Sequence, residues 1–352
     1  MACKWANKHS QNCSRIFRKL LTDEGICYSF NILDKQDLFR DDVLSELKSD
    51  DDSEDLRVTG WSQDGGYTTE AFVDSYPRRA LHSGSYGGIF IVPGAIREDA
   101  DHYCKGPVEG FKVLIHNPAE YPVVGMRYLR IPLLQEVVIM VQPNIMTTSK
   151  NLISYSPQER HCYFPSERYL SYFKVYNQPN CEIECLTNYT YLECGCVALH
   201  MPRKEGMRFC GPRKKKCMVD AQYRLRISEV DVAYKSETMG SCDCLPACTS
   251  ILYDRETTQA EFNFHAVLEA YNEDTVAFEP YDASRVSIFF KDVQFTTSHR
   301  NELYGIVDFL ANVGGLLGLF YGVSVLSFVE VLYYSTLRLW ANLKQIRRRS
   351  SA

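Results

Sequence analysis

"NCEIEC", residues 180–185, sets Cys181 and Cys185 four positions apart, which on a helix puts both sulfurs on one face. Further on, "CDCLPAC" (242–248) sets Cys242 and Cys244 two apart, which on a strand is again a single face. A helix face and a strand face can be joined by two parallel rungs, Cys181 with Cys244 and Cys185 with Cys242. Cys162 and Cys248 lie outside these and would close a third rung. Cys194, Cys196, Cys210 and Cys217 lie inside and nest as Cys194–Cys217 and Cys196–Cys210. Spacing permits this ladder without fixing its connectivity.

Working outward, ten of the 14 cysteines fall between Cys162 and Cys248. That is disulfide density, and it places the bulk of the chain in an oxidising compartment. Short-spaced cysteines also build zinc sites, but those need a reducing compartment, so no metal is expected. The 352 residues suffice for one large domain or two ordinary ones, and a net charge of -5 gives no sign of a nucleic-acid partner. The eight histidines are scattered, and neither a Gly-rich phosphate loop, a Ser/His/Asp signature nor a Cys-x-x-Cys redox pair is present. Neither an enzyme nor a cofactor is expected.

The first 160 residues read as β-rich with loops. "GFKVLIHNP" (110–118) and "LQEVVIMVQP" (134–143) are β-branched runs ended by Asn-Pro and Gln-Pro, and "WSQDGGYTTEAF" (61–72) is a Gly-centred turn between short strands. The acidic stretch 41–55 reads as a solvated loop, with calcium binding as the alternative. "RKKKC" (213–217) reads as a solvated hairpin tip in the innermost loop. "NYT" makes Asn188 a glycosylation acceptor, and "NCS" makes Asn12 a second, with a cysteine at its middle position.

From Phe309 to Val329 there are 21 residues without a formal charge, enough to span a hydrocarbon core of about 30 Å. Arg338, Lys344, Arg347, Arg348 and Arg349 follow, so the positive-inside rule makes the C-terminal tail cytoplasmic and residues 1 to about 300 extracellular. "GGLLGLFYGVSVLSFVE" (314–330) is ill suited to a plain anchor. Gly314, Gly318 and Gly322 repeat every four residues, the spacing that lets membrane helices approach closely. Asn312, Ser324 and Glu330 are polar groups that lipid cannot satisfy. A self-associating helix with one polar stripe points to a pore lining.

The order Cys162, Cys181-xxx-Cys185, Cys194-x-Cys196, Cys210, Cys217, Cys242-x-Cys244-xxx-Cys248 resembles the thumb domain of the degenerin/epithelial sodium channel family. The stretch 314–330 resembles that family's second membrane segment with its Gly-x-Ser selectivity filter. The wording "GFKVLIHNP", "ERHCYF", "CVALHMPR", "CDCLPAC" and "ELYGIVDFLANVGGLLGLF" is similar to the insect pickpocket branch. The resemblance implies an α+β, disulfide-rich extracellular domain with a β-sheet palm and β-ball and a helical finger and thumb, followed by a C-terminal transmembrane helix. Its parts would be a finger remnant (1–26), palm, β-ball and knuckle (27–161), thumb (162–250), returning palm strands (251–302), pore helix (303–336) and cytoplasmic tail (337–352).

The resemblance also implies a plasma-membrane, sodium-selective, amiloride-sensitive channel subunit that works as a homo- or hetero-trimer in lipid, with Na+ as the permeant ion. The family's ladder pairing agrees with the one set out above, and Cys3–Cys13 matches its finger-domain pair, leaving the pairing of Cys27 and Cys104 open. The filter falls on Gly322, Val323 and Ser324, and the amiloride-contacting glycine on Gly318. The degenerin position, where bulk jams the gate open, falls on Ala311. The acidic ring falls on Glu330, and Gly314 and Gly315 allow close helix approach. The Trp that couples thumb to pore in acid-sensing members is not found in "SPQERHC" (156–162), so proton gating is not carried over.

Family members have two membrane segments. Here the first segment, the His-Gly motif before it and the first palm strand are not found, and "MACKWANKHS" (1–10) has no apolar signal region. The expectation is an incomplete gene model, a short isoform or a degenerate subunit. The alternative function is a non-conducting, single-pass regulatory or receptor-like subunit derived from such a channel.

Overall fold

The computed structural model describes residues 2–6, 8–10, 13, 16–44, 60–69, 75–235, 242–273, 275–322 and 324–349. Asn12, Val323 and most of the acidic stretch 41–55 lie outside the described residues. The chain divides into two compact units, residues 1–148 with 153–300, and residues 149–152 with 301–352.

The main strands of the first unit are β1 (Ala2–Trp5), β2 (Lys8–Ser10), β3 (Phe17–Thr22), β4 (Gly25–Phe30), β5 (Ile89–Val92), β6 (Gln135–Thr148), β7 (Ser250–Glu261), β8 (Arg285–Phe290) and β9 (Thr296–Arg300). Among the described residues the principal sheet runs β7-β6-β8-β5-β1-β2, with β9 also paired to β6. β6 lies antiparallel to β7 along nearly its whole length and parallel to β8 and then β9. Alternation along β6 turns Val137, Ile139 and Val141 to one face, where they bury against Ile131 and Val286.

β6 does not stop at Gln142-Pro143. The parallel partner β8 ends opposite Val141, and β9 begins opposite Asn144. Pro143 falls in the gap between them, where its missing N–H interrupts no ladder on that side. The run 110–118 shortens instead to a strand at Phe111–Val113. The boundary expected at residues 26 and 27 falls inside the β3–β4 hairpin, which turns at Gly25 with φ 108°.

The helices of this unit that carry disulfides are α1 (Gln178–Cys194) and α2 (Lys215–Lys235). Asn177 caps α1 by accepting from Asn180 N at 2.9 Å, and Gly195 ends it in the left-handed conformation. One face of α1, including Cys181, Ile183, Glu184 and Thr187, is buried. Glu184 accepts from the backbone N–H of Ser171 and Tyr172, which docks the strand-like segment 170–176 and its buried Phe173 against the helix.

The sulfurs join as Cys3–Cys13, Cys162–Cys248, Cys181–Cys244, Cys185–Cys242, Cys194–Cys217 and Cys196–Cys210, with Cα separations of 4.9–6.0 Å. Cys27 is a free thiol in contact with Thr22 Oγ1, and the side chain of Cys104 lies outside the described residues. The unit is thus a mixed α+β domain with six disulfides.

Two local expectations are corrected. Residues 242–244 form no strand. Asp243 is left-handed at φ 47° and its carboxylate accepts from Tyr163 Oη, so a turn presents both sulfurs to α1. Residues 213–217 form no hairpin tip: a 3₁₀ turn at Pro212–Lys214 leads directly into α2.

Candidate functional site

The second unit holds α3 (Ile306–Tyr321), α4 (Val325–Leu332), a π-helical stretch (Tyr333–Arg338) and α5 (Leu339–Arg349). Where one span over 303–336 was expected, there are two helices. Among the described residues no single helix is long and apolar enough to cross a membrane. α3 and Val325–Lys344 meet that condition only together, bent by 81° at the break between them.

The sequence around the break explains it. α3 starts at Gly305, whose N–H is bound by Asp308 Oδ2 at 3.1 Å, and it continues through its three glycines. It ends because Gly322 takes the left-handed conformation (φ 64°, ψ 17°) and donates its N–H to Gly318 O at 3.1 Å. Glycine takes that conformation without the steric cost of a Cβ. Ser324 is extended and starts α4. Its Oγ accepts from Ser327 N at 3.4 Å, and Ser327 Oγ accepts from Ser324 N at 3.3 Å. This reciprocal cap uses Ser where Glu or Gln is usual at the third helical position. Ser327 escaped notice in the sequence, although Ser-x-x-Ser before an apolar run was a legible start signal.

The break therefore places three kinds of group together. The last carbonyls of α3 have no i+4 N–H partner inside the helix, and the helix dipole makes that end electronegative. Ser324, two residues past Gly322, turns its hydroxyl to the start of α4. Ala311, Gly314, Gly315, Gly318 and Gly322 follow at helical spacing along one face of α3. A Cβ added at Gly314 or Gly315 would meet nothing within 4 Å, so no contact inside the chain requires glycine there. Most large apolar side chains of α3 and α4 are exposed, Leu319 and Tyr321 at 80% and Leu326 at 73%. Glu330 lies on α4 on the far side of the break, also exposed. Ala311 and Gly318 thus lie on the helix that Gly322 ends, while Ser324 caps the next helix and Glu330 lies on it.

Asn188 is an exposed residue of α1, and its Oδ1 accepts from Tyr172 Oη at 2.9 Å. Its sequon partner Thr190 is fully buried, with no partner for its hydroxyl.

Comparison with known proteins adds to this geometry. A family model described as amiloride-sensitive sodium channel matches residues 1–334. Pickpocket protein 28 of Drosophila melanogaster is 30% identical over 359 aligned residues, covering 99% of this chain and 57% of that protein. Sodium channel protein Nach of the same organism is 26% identical over 96% of this chain and 58% of its own length. Human acid-sensing ion channel 2 is 27% identical over 64% of this chain and 41% of its own. The chain spans about half the length of the curated relatives it matches.

Proposed function

Because the chain belongs to the amiloride-sensitive sodium channel family, also called the degenerin/epithelial sodium channel family, we propose that it is a subunit of a sodium-selective cation channel. On this reading it sits in the plasma membrane, with the disulfide-rich unit extracellular as finger, palm, β-ball, knuckle and thumb, and with the basic tail cytoplasmic. Three subunits, identical or mixed, set the α3–α4 segment around one axis. The observation that carries the reading is the break in an otherwise apolar segment, where one helix ends at Gly322 and the next starts at Ser324.

The physical roles follow. A helix that crosses lipid can interrupt its hydrogen bonds only where protein or an aqueous path takes them over. Carbonyls at the end of α3, repeated around an axis, replace part of the hydration shell of Na+. Gly322, Val323 and Ser324 form the filter. Gly314 and Gly315 let three helices approach closely, which gives a reason for glycines that nothing within the chain requires. Gly318, one turn before the break, receives amiloride. Ala311 is small where the helices cross and sets the gate. Glu330, on the inner side of the filter, adds a ring of charge that raises local cation concentration. The exposed apolar faces of α3 and α4 meet lipid and the neighbouring subunits, and Asn188 carries a glycan.

The test is Ala311→Val in the channel expressed in oocytes. The expected result is a constitutive sodium current blocked by amiloride, with the block weakened by a larger residue at Gly318. A trimer at the cell surface whose current does not change with Ala311→Val would contradict the gate and pore assignment.

A further inference from the structure

In the first unit, residues 97–103 and 106–109 of the segment "REDADHYCKGPVE" (97–109) are exposed. Tyr103 is fully exposed, at 102%, and its hydroxyl makes no hydrogen bond among the described residues. A ring left this open contributes nothing to packing. The five residues before it include three carboxylates, Glu98, Asp99 and Asp101, all exposed, and no lysine or arginine.

Two local bonds strengthen that acidic character. Arg97, which would offset it, is drawn onto Asp282 by a two-pronged pair, Nη2 to Oδ1 at 2.6 Å and Nε to Oδ2 at 3.1 Å. Asp101 accepts from Tyr103 N at 2.9 Å, which holds the tyrosine beside the acidic run. No other tyrosine exposed among the described residues has three carboxylates in the five positions before it: Tyr28 has Asp23 and Glu24, and Tyr271 has Glu269 alone. Tyr169 follows Arg168 and has the Arg40 guanidinium 3.8 Å above its ring, and Tyr223 precedes Arg224.

We propose that Tyr103 is a tyrosine-sulfation site, the acceptor for a sulfotransferase of the secretory pathway. Such an enzyme must hold a polyanionic donor, so its acceptor groove is cationic and is complemented by carboxylates on the amino-terminal side of the tyrosine. The donor is a nucleotide phosphosulfate. Tyr103 Oη forms the new bond to sulfur, the S–O bond to the donor phosphate breaks, and the phenolic proton passes to a base on the transferase. No group is oxidised or reduced. The product adds a fixed negative charge to a surface already acidic, which suits a cationic partner.

The inference rests on the reading that the first unit is extracellular, because sulfation of this kind takes place in the secretory lumen. The experiment is intact-mass and peptide mass spectrometry of the whole chain produced in secretory cells. The cysteines are alkylated before and after reduction, and the peptide holding Tyr103 is sequenced. The expected result is one sulfate on Tyr103, lost in Tyr103→Phe and after arylsulfatase, reduced several-fold in Glu98→Gln/Asp99→Asn, and absent from Tyr169 and Tyr223. An unmodified Tyr103 in a chain whose cysteines are disulfide-bonded would overturn the sulfation site and leave the topology standing. Free cysteines throughout would overturn both. A phosphatase-sensitive, arylsulfatase-resistant adduct would overturn the assignment to sulfate.

Discussion

The Arg300 guanidinium donates from Nη1 to the backbone carbonyl of Arg160 at 2.7 Å. Arg300 is the last residue of β9, and Arg160 lies two residues before Cys162, at the start of the disulfide ladder. The Arg160 side chain is itself almost fully buried: it pairs with Glu167 and donates to the carbonyls of Cys162 (3.1 Å) and Tyr155 (2.5 Å). Thr148, the last residue of β6, donates from Oγ1 to Cys248 O at 2.8 Å, across the Cys162–Cys248 bond. The ends of two sheet strands are thereby fastened beside the outermost rung of the disulfide ladder.

The joint predicts unequal costs for its two arginines. Arg160→Met removes two charge-assisted bonds, to the Cys162 and Tyr155 carbonyls, together with the pair to the exposed Glu167, and should lower stability by about 3–5 kcal/mol. Arg300→Ala loses one charge-assisted bond and should cost about 1.5–3 kcal/mol. Thermal unfolding of the purified protein reads both, and equal losses would place the anchor elsewhere.

The two inner rungs of the ladder should be non-additive. Closing the 57-residue separation of Cys185 and Cys242 is worth about 4 kcal/mol by loop entropy. Cys181–Cys244 already closes almost the same loop. Removing either pair alone, both cysteines to Ser, should cost much less than removing both, and the double loss should recover most of that figure. Denaturant unfolding checks it, and additive losses would show the two rungs to be independent.

Stability should depend on pH through Glu120. Burial raises its carboxyl from the ordinary 4.5 to about 7. The folded state therefore holds a proton that the unfolded state has released, and stability falls as pH rises from about 4.5 to 7, by about 3 kcal/mol in all. His116, which shares a hydrogen bond with Ser29 Oγ at 3.1 Å, is held below its ordinary value by burial. It acts with the opposite sign, so its contribution is lost as pH falls below about 6.5. Glu120→Gln should abolish the fall toward neutral pH and keep the loss on the acid side. Unfolding measured from pH 4.5 to 8 separates the two.

At the break, Gly322→Ala must place a Cβ at φ 64° and should cost about 1 kcal/mol in the broken conformation. Alanine favours a continuous helix instead, so a label pair flanking the break in lipid nanodiscs should report a straighter segment. An unchanged bend would mean that glycine is not what sets it.

How much of this was legible beforehand depended on whether the signal was local. Cys181 and Cys185 declared a helix because their spacing matches its period. Cys242 and Cys244 matched a strand by the same logic and are in fact presented by a turn, since the left-handed Asp243 and its bond from Tyr163 are tertiary facts. Pro143 looked like a stop because the offset between β8 and β9, which makes it harmless, is set by segments more than 140 residues away. The glycines of α3 were readable as small residues at helical spacing, but nothing in that spacing says which one will turn left-handed. The Ser324–Ser327 cap was written in the sequence and fixes where the second helix begins.

The central claim is that the Gly322–Ser324 break lines the path of the ion. Its most direct test is the sodium-to-potassium permeability ratio, from reversal potentials under exchanged external cations, for the channel with Ser324 intact and with Ser324→Ala and Ser324→Asp. The account predicts a sodium-preferring current whose ratio falls about tenfold or more in the variants, ~1.4 kcal/mol of lost discrimination, at unchanged surface expression. A sodium current with the same ratio in all three proteins would contradict it.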